Sequence, residues 1–178
     1  MRIPALFIMS LTTALACADA GPAPVEPELL EVPAFSRAGP AVGGNFRAHA
    51  HGGEEVPAVE TRAQGQAIFQ LSADGESLSY KLIVANVEDV LMSHIHMAAA
   101  GTNGQVVAWL YPSAPPPILI PGRSQGVLAE GVIDASSLVG PLAGMDLDDL
   151  IDAIRSRNAY VNVHTAANPL GEVRGQIH

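Results

Sequence analysis

The chain has 178 residues, of which 48% are hydrophobic, and this is enough for one folded domain with a sizeable core. Its formal net charge of −9, from 9 basic and 18 acidic residues, argues against electrostatic capture of nucleic acid or of an anionic membrane surface. Aromatic residues make up only 4%, so Val, Ile, Leu and Ala must supply most of the core.

The amino end has the pattern of a bacterial export signal. Arg2 supplies a positive start, and the apolar run Ile3–Ala16 is too short for a stable membrane span. Thr13–Cys17 is similar to a lipobox, which would make residues 1–16 a signal peptide and would attach lipid to Cys17. The alternative is ordinary signal peptidase cleavage at the small residues nearby. We expect export, as an outer-membrane lipoprotein or as a periplasmic or secreted protein.

Residues 17–44 are predicted to form an extended tether. This segment is rich in proline and has no sustained hydrophobic period, which is typical of a linker. The folded domain is therefore expected over residues 45–178. Because Cys17 is the only cysteine, we expect this domain to contain no disulfide.

Alternating apolar and polar residues predict a series of short β-strands in the rest of the chain. The predicted strands are Phe46–His51, Gly65–Leu71, Ser77–Ala85, Gln105–Tyr111, Ser124–Ile133, Ala159–His164 and Glu172–His178. A further segment, residues 86–92, leads into His94 and His96. The segment Pro112–Gly122 is predicted to be a loop, because each proline lacks the amide donor that a central strand needs.

One helix is predicted near residues 146–157. Its apolar residues recur at helical spacing, and they are Leu147, Leu150, Ile151 and Ile154. Asp146 is suited to cap the amino end of this helix. Short strands with a single inserted helix predict an all-β fold, either a Greek-key sandwich or a flattened barrel.

Three histidines form the most specific chemical pattern in the chain. His94 and His96 lie on one face of a strand, because side chains alternate along an extended backbone. His164 ends a second segment of similar pattern, in which an Ala-Ala pair and a glycine follow the histidine. The pattern favours a metal site, with copper as the first candidate and zinc as the second. The alternative is that these rings only form hydrogen bonds to neighbouring loops.

Other residues are candidates to complete such a site. His49 and His51 share a strand face, so either could be a fourth ligand. Asn162 is in phase with His164 and is a candidate to orient its ring. Met92 and Met97 flank the paired histidines; thioethers favour cuprous copper, although core packing is the usual role of methionine.

Several motifs resemble those of the CHRD domain, first described in chordin and frequent in exported bacterial proteins. The motifs are Glu54-Glu55-Val56-Pro57, His94-Ile95-His96 with Gly101-Thr102-Asn103-Gly104, Tyr160–Thr165, and Gly171–Gln176. The resemblance covers nearly the whole of the predicted domain. It is in keeping with export, but it carries little biochemistry.

The histidine segments are also similar, more weakly, to the copper-ligand segments of Cu,Zn superoxide dismutase. That similarity implies a dismutase-like β-sandwich, copper, and, if the enzyme activity is present, attraction of small anions by Arg174. The alternative for Arg174 is an internal pair with Glu172. Neither the zinc loop nor the paired cysteines of that enzyme have a counterpart here, so dismutase activity does not follow.

The sequence is compatible with three functions. The first is an exported domain that binds a copper-like metal for handling or redox chemistry. The second is a metal-free adhesion or ligand-binding module, and the third is a copper-only dismutase variant. Glu54 and Glu55, at a predicted bend, are interpreted as a loop anchor rather than as an acid–base pair. No nucleophile elbow or phosphate loop is present, which argues against an enzyme of those classes.

Overall fold

The computed structural model describes residues 44–178. The predicted signal peptide, the proposed lipidation site at Cys17 and all but the last residue of the predicted tether lie outside the described residues. Within residues 44–178, no helix is both long enough and apolar enough to cross a membrane.

The described part of the chain consists mainly of β-strands. The elements are β1 (Asn45–His51), β2 (Gln64–Leu71), β3 (Leu78–Met97), β4 (Gln105–Tyr111), β5 (Ile120–Ile133), α1 (Leu147–Arg155), β6 (Tyr160–Thr165) and β7 (Val173–Gln176). Each predicted strand is present, with ends that differ by a few residues. The predicted proline-rich loop is confirmed up to residue 119, and the strand after it begins at Ile120.

Five strands close into a barrel. Their order is β2, β1, β7, β6 and β3, and β3 returns to pair with β2. The strands β4 and β5 lie outside this ring and both pair with β3. The prediction of an all-β fold, a sandwich or barrel with one short helix, is therefore confirmed.

Strand β3 is twice as long as the sequence predicted. The predicted strand Ser77–Ala85 and the histidine segment form one continuous strand. Between them the chain contains two residues with positive φ, Asn86 and Asp89, which do not end the strand. The first half of β3 pairs with β2, and the second half pairs with β6. One strand therefore connects the far side of the barrel to the histidines.

The core lies inside the barrel and beneath α1. Strands β1 and β2 place alternate residues inward, as their burial patterns show. Helix α1 buries the apolar side chains that predicted it, and the Asp149 carboxylate accepts a hydrogen bond from the Asp146 amide at 3.3 Å. The predicted helix and its amino-terminal boundary are thus confirmed.

Candidate metal site

Strands β3 and β6 bring the histidines to one face. On β6, Val161 and Val163 join the apolar core, whereas the alternate residues Asn162 and His164 lie on the opposite face. In the register of the two strands, His94 is opposite Asn162, His96 is opposite Tyr160, and Met92 is opposite His164. Diagonal neighbours on one face of paired strands are also within reach of each other's side chains, so His94 and His164, 70 positions apart in the sequence, meet.

The three imidazoles lie within range of a single ion. One ligand nitrogen from each of His94, His96 and His164 can be chosen so that all lie within 4.8 Å of one another. His94 Nδ1 is 3.2 Å from His164 Nε2. Two nitrogens bound to one tetrahedral metal at about 2.0–2.1 Å lie about 3.3 Å apart, so this separation is compatible with shared ligation.

Two of the rings are oriented by backbone carbonyls. His96 Nδ1 lies 3.0 Å from the Gly104 oxygen, and His164 Nδ1 lies 3.1 Å from the Pro169 oxygen. A carbonyl only accepts hydrogen bonds, so each Nδ1 carries the hydrogen and, in the neutral ring, each Nε2 has a lone pair. This is the arrangement in which a ligating histidine is held by a partner on its other nitrogen.

The site favours neutral rings. Burial, together with the smaller effects of the nearby His164 and His96 rings, lowers the pKa of His94 to about 3. Burial, with the His96 ring, lowers the pKa of His164 to about 4, against a smaller opposing effect of the Pro169 carbonyl. Burial also lowers the pKa of His96. Neutral imidazole is the form that binds metal, so no proton has to be removed before ligation near pH 7.

Two ring nitrogens in the cluster are buried without a hydrogen-bond partner. They are His94 Nε2 and His96 Nε2, in residues that are 2% and 8% exposed. In a metal-free protein His94 Nδ1 can donate a hydrogen bond to His164 Nε2. That bond still leaves His94 Nε2 and His96 Nε2 without a partner. An unpaired buried polar group costs about 1–3 kcal/mol. An ion shared by the rings would remove that cost at His96.

Aromatic side chains enclose the cluster. The Trp109 ring lies 4.2 Å from the His94 ring in an edge-to-face contact. Tyr160 stacks on His96 with ring centroids 4.9 Å apart, and the Arg174 guanidinium carbon lies 3.5 Å from the Tyr160 centroid. The rings of His94 and His96 are therefore packed against aromatic side chains, which restricts the rotation of these imidazoles.

Arg174 fixes a loop rather than facing solvent. It is 1% exposed, and it donates to the Ala99 and Thr102 carbonyls at 3.2 and 2.8 Å and to Asn103 Oδ1 at 3.1 Å. This loop ends at Gly104, whose carbonyl orients His96. A guanidinium so deeply buried is not available to attract anions, so the conditional role of Arg174 in a dismutase has no support in this geometry.

The alternative pairing of Arg174 with Glu172 is also not formed. The two Glu172 carboxylate oxygens accept hydrogen bonds from the hydroxyls of Thr61 and Thr165, each at 2.7 Å. Glu172 is the last residue before β7, and its carboxylate reaches these two threonines instead of Arg174. Glu172 thus fixes the loop that precedes β7.

His49 and His51 do not join the cluster. Both are exposed on β1, and His51 Nε2 lies 3.6 Å from an oxygen of the exposed Glu54. Strands β7 and β6 separate β1 from the half of β3 that carries His94, and among the described residues the donors that lie within 4.8 Å of one another are those of His94, His96 and His164. The expected fourth ligand from this pair is therefore not placed near the other three.

Glu55 is a buried polar residue next to the cluster that the sequence suggested only as a loop anchor. It is 7% exposed, and it accepts a hydrogen bond from Asn162 Nδ2 at 3.4 Å. Burial raises the pKa of Glu55 to about 7, against the smaller opposing effects of Arg174 and of the Asn162 hydrogen bond. No signal in the sequence distinguishes Glu55 from its exposed neighbour Glu54.

Comparison with known proteins gives one match. No curated protein and no solved structure matches the chain. The family model described as the CHRD domain matches residues 46–177, which include all three clustered histidines, Glu55 and Arg174. This match extends from β1 to the end of the described fold, and the chain therefore belongs to the CHRD domain family.

Proposed function

We propose that this domain binds a copper ion through His94 Nδ1, His96 Nε2 and His164 Nε2, and that it serves in copper handling or as a redox centre. The observation that carries the proposal is the convergence of three buried, neutral imidazoles, whose ligand nitrogens lie within 4.8 Å of one another and of which His94 Nδ1 and His164 Nε2 are 3.2 Å apart. Two of the three rings already have their other nitrogen held by a carbonyl.

Copper is preferred over zinc on the chemistry of the ligands. All three donors are neutral imidazoles, and among divalent first-row metals Cu²⁺ binds nitrogen donors most tightly. Met92 lies opposite His164 in the strand register, where its thioether would suit the cuprous state. Zinc remains the second candidate for the same three donors.

Copper content and tryptophan fluorescence test this proposal. Trp109 is the only tryptophan, and its ring lies 4.2 Å from His94, so bound Cu²⁺ should quench its emission. We expect one copper per chain and saturable quenching in the wild-type protein. The double variant His94→Ala/His96→Ala should lose both.

The matched control is His49→Ala/His51→Ala, which removes two histidines with the same spacing on the exposed face of β1. It should keep the copper content and the quenching. Unchanged copper in His94→Ala/His96→Ala would refute the site. The alternative of a metal-free adhesion module instead predicts that copper and chelators leave the melting temperature and the fluorescence of the wild-type protein unchanged.

We also propose that the protein is exported and anchored by lipid at Cys17, on the basis of the lipobox-like segment Thr13–Cys17. The test is the cell fractionation of a Cys17→Ala variant made with the native leader. The wild-type protein should be found with the membrane and should incorporate labelled fatty acid. Equal distribution and no label in either protein would contradict the anchor and would favour ordinary cleavage.

A further inference from the structure

The carboxyl group of Glu55 and the side-chain amide of Asn162 face each other in a buried position beside the histidine cluster. Asn162 lies on β6 between two strands, and its register neighbours are His94 on β3 and Arg174 on β7. Its Nδ2 donates to Glu55 Oε2, while its Oδ1 has no hydrogen-bond partner. Glu55 Oε1 is likewise buried without a partner.

The two unpartnered oxygens are close to each other. A side-chain carbon added to Gly171 would lie 2.6 Å from Glu55 Oε1 and 2.6 Å from Asn162 Oδ1, so these oxygens are within about 5 Å of each other. If Glu55 were ionised, both atoms would be acceptors, and neither could satisfy the other. A proton on Glu55 Oε1 would turn one of them into a donor.

We propose that Glu55 holds a proton in the folded protein and pairs head to head with Asn162 as a carboxylic acid and an amide. In this pair the amide donates from Nδ2 to Oε2 and the acid donates from Oε1 to Oδ1. A single proton therefore satisfies both of the oxygens that otherwise have no partner. Glu55 is then a positioning residue for Asn162 and for the strand that carries His164.

The charges around Glu55 are consistent with this state. Arg174 on β7 favours the carboxylate, although three of its five N–H donors bind the loop at residues 99–103. Glu172, which follows Gly171, is held by the hydroxyls of Thr61 and Thr165. On its own turn, the neighbouring Glu54 is exposed and lies beside His51. Burial remains the largest influence, and it raises the pKa of Glu55 to about 7.

The pair has a consequence for metal binding, which rests on the proposed copper site. Three neutral imidazoles add no negative charge to balance a divalent ion. An ion bound at His94, next to Asn162, would favour the carboxylate of Glu55, so its O–H bond breaks and the proton passes to solvent. A pocket of about 240 Å³ lined by Glu55, Val56, Pro57 and Gly171 gives the proton a route outward. Copper uptake near pH 6 would therefore release a proton from Glu55.

The protonated acid can be tested without metal. In metal-free wild-type protein, the carbonyl infrared band of a buried protonated carboxyl and the ¹³C shift of the Glu55 side chain should titrate with a midpoint near 7. The band should be absent in Glu55→Gln, which keeps a neutral amide in place, and present in Glu54→Gln. Titration of Glu55 with an ordinary midpoint in the wild-type protein would overturn the pair, whether or not a variant folds.

The coupling to metal is tested separately by proton release. On copper titration in weak buffer at pH 6, wild-type and Glu54→Gln protein should each release about one proton more than Glu55→Gln, since any proton released by the cluster histidines is common to all three proteins. Equal release by all three proteins would overturn the coupling. If the wild-type protein binds no copper at all, the proposed function fails, while the infrared and carbon titrations still decide the acid–amide pair.

Discussion

The two faces of β6 are both buried, yet different interactions stabilise them. One face packs Val161 and Val163 into the apolar core, where each contact is non-directional. The other face presents Asn162 and His164, and each of these needs a partner from a loop: Glu55, 107 residues earlier, for the amide, and the Pro169 carbonyl of the loop after β6 for the ring. The comparison teaches that the first face determines whether the domain folds, and the second determines what the folded domain can bind.

Neighbouring residues on β3 give the largest expected effects in this comparison. Ile95 is fully buried in the core, between two histidines on the opposite face. Ile95→Ala should lower the free energy of unfolding by about 2–5 kcal/mol, because it leaves a cavity in the core, and should keep one copper per folded chain. His94→Ala should cost about 1–3 kcal/mol and should abolish copper binding. Denaturant unfolding and metal analysis measure both quantities.

Loss of copper by folded Ile95→Ala protein would contradict the idea that the apolar face of β3 affects stability and not metal binding. Retention of copper by His94→Ala would contradict the metal site.

Removal of Arg174 should have an intermediate effect on stability. Arg174→Ala deprives the Ala99 and Thr102 carbonyls and the Asn103 amide oxygen of their donor, so we expect a loss of about 2–3 kcal/mol in the free energy of unfolding. Because the same loop positions Gly104 and therefore His96, copper affinity should also fall. Arg174→Lys should restore part of the stability, since it keeps the charge but not the planar fork. A variant with unchanged stability and affinity would show that the loop is held by other contacts.

Acid should destabilise the folded domain through its buried histidines. The pKa of His94 is lowered to about 3 and that of His164 to about 4, whereas unfolded histidine titrates near 6.5. The unfolded chain therefore binds more protons below pH 6.5, and the stability that neutral rings contribute is lost as pH falls from there toward 3. His164→Ala should show a shallower loss of melting temperature between pH 6 and 4 than metal-free wild-type protein. An equal slope would contradict burial of the neutral ring.

Glu55 should change the stability of the domain with pH in the opposite direction to the histidines. Its pKa is raised from 4.5 to about 7, so its contribution is fully present below pH 4.5 and is lost as pH rises through 7. Melting temperature plotted against pH should fall less steeply over that range in Glu55→Gln than in the wild-type protein. Glu54→Gln, at an exposed position, should follow the wild-type curve.

The smallest effect is expected at the exposed histidines. His49→Ala/His51→Ala should change the free energy of unfolding by no more than about 0.5 kcal/mol, because neither side chain belongs to the core or to the cluster. Thermal unfolding measures this difference. A larger loss would indicate that the contact between His51 and Glu54 contributes to closing β1 onto its neighbours.

Much of the apolar framework could be predicted because alternation and helical spacing are local properties. The strands, the helix and the shared face of His94 and His96 all follow from the direction of successive side chains. The continuity of β3 could not be predicted, since positive φ at Asn86 and Asp89 depends on the strands that pair on either side.

The polar partners were not predictable for a related reason. His49 and His51 have the same spacing as His94 and His96, and only the strand order places one pair outside and the other within the cluster. Glu55 becomes a buried acid because Asn162, over a hundred residues later, lies against it. Sequence patterns describe which face a residue occupies, whereas its partner depends on which distant segment covers that face.

Strand β3 carries two of the three proposed ligands and pairs with four other strands, β2, β4, β5 and β6. Because both edges of β3 are paired along most of its length, the strand cannot detach by fraying, so its amides should exchange with solvent only when the whole domain opens. The imidazoles of His94 and His96 would then keep their relative positions for as long as the domain stays folded. An arriving ion would meet donors that are already in place, so little side-chain ordering would have to accompany its capture.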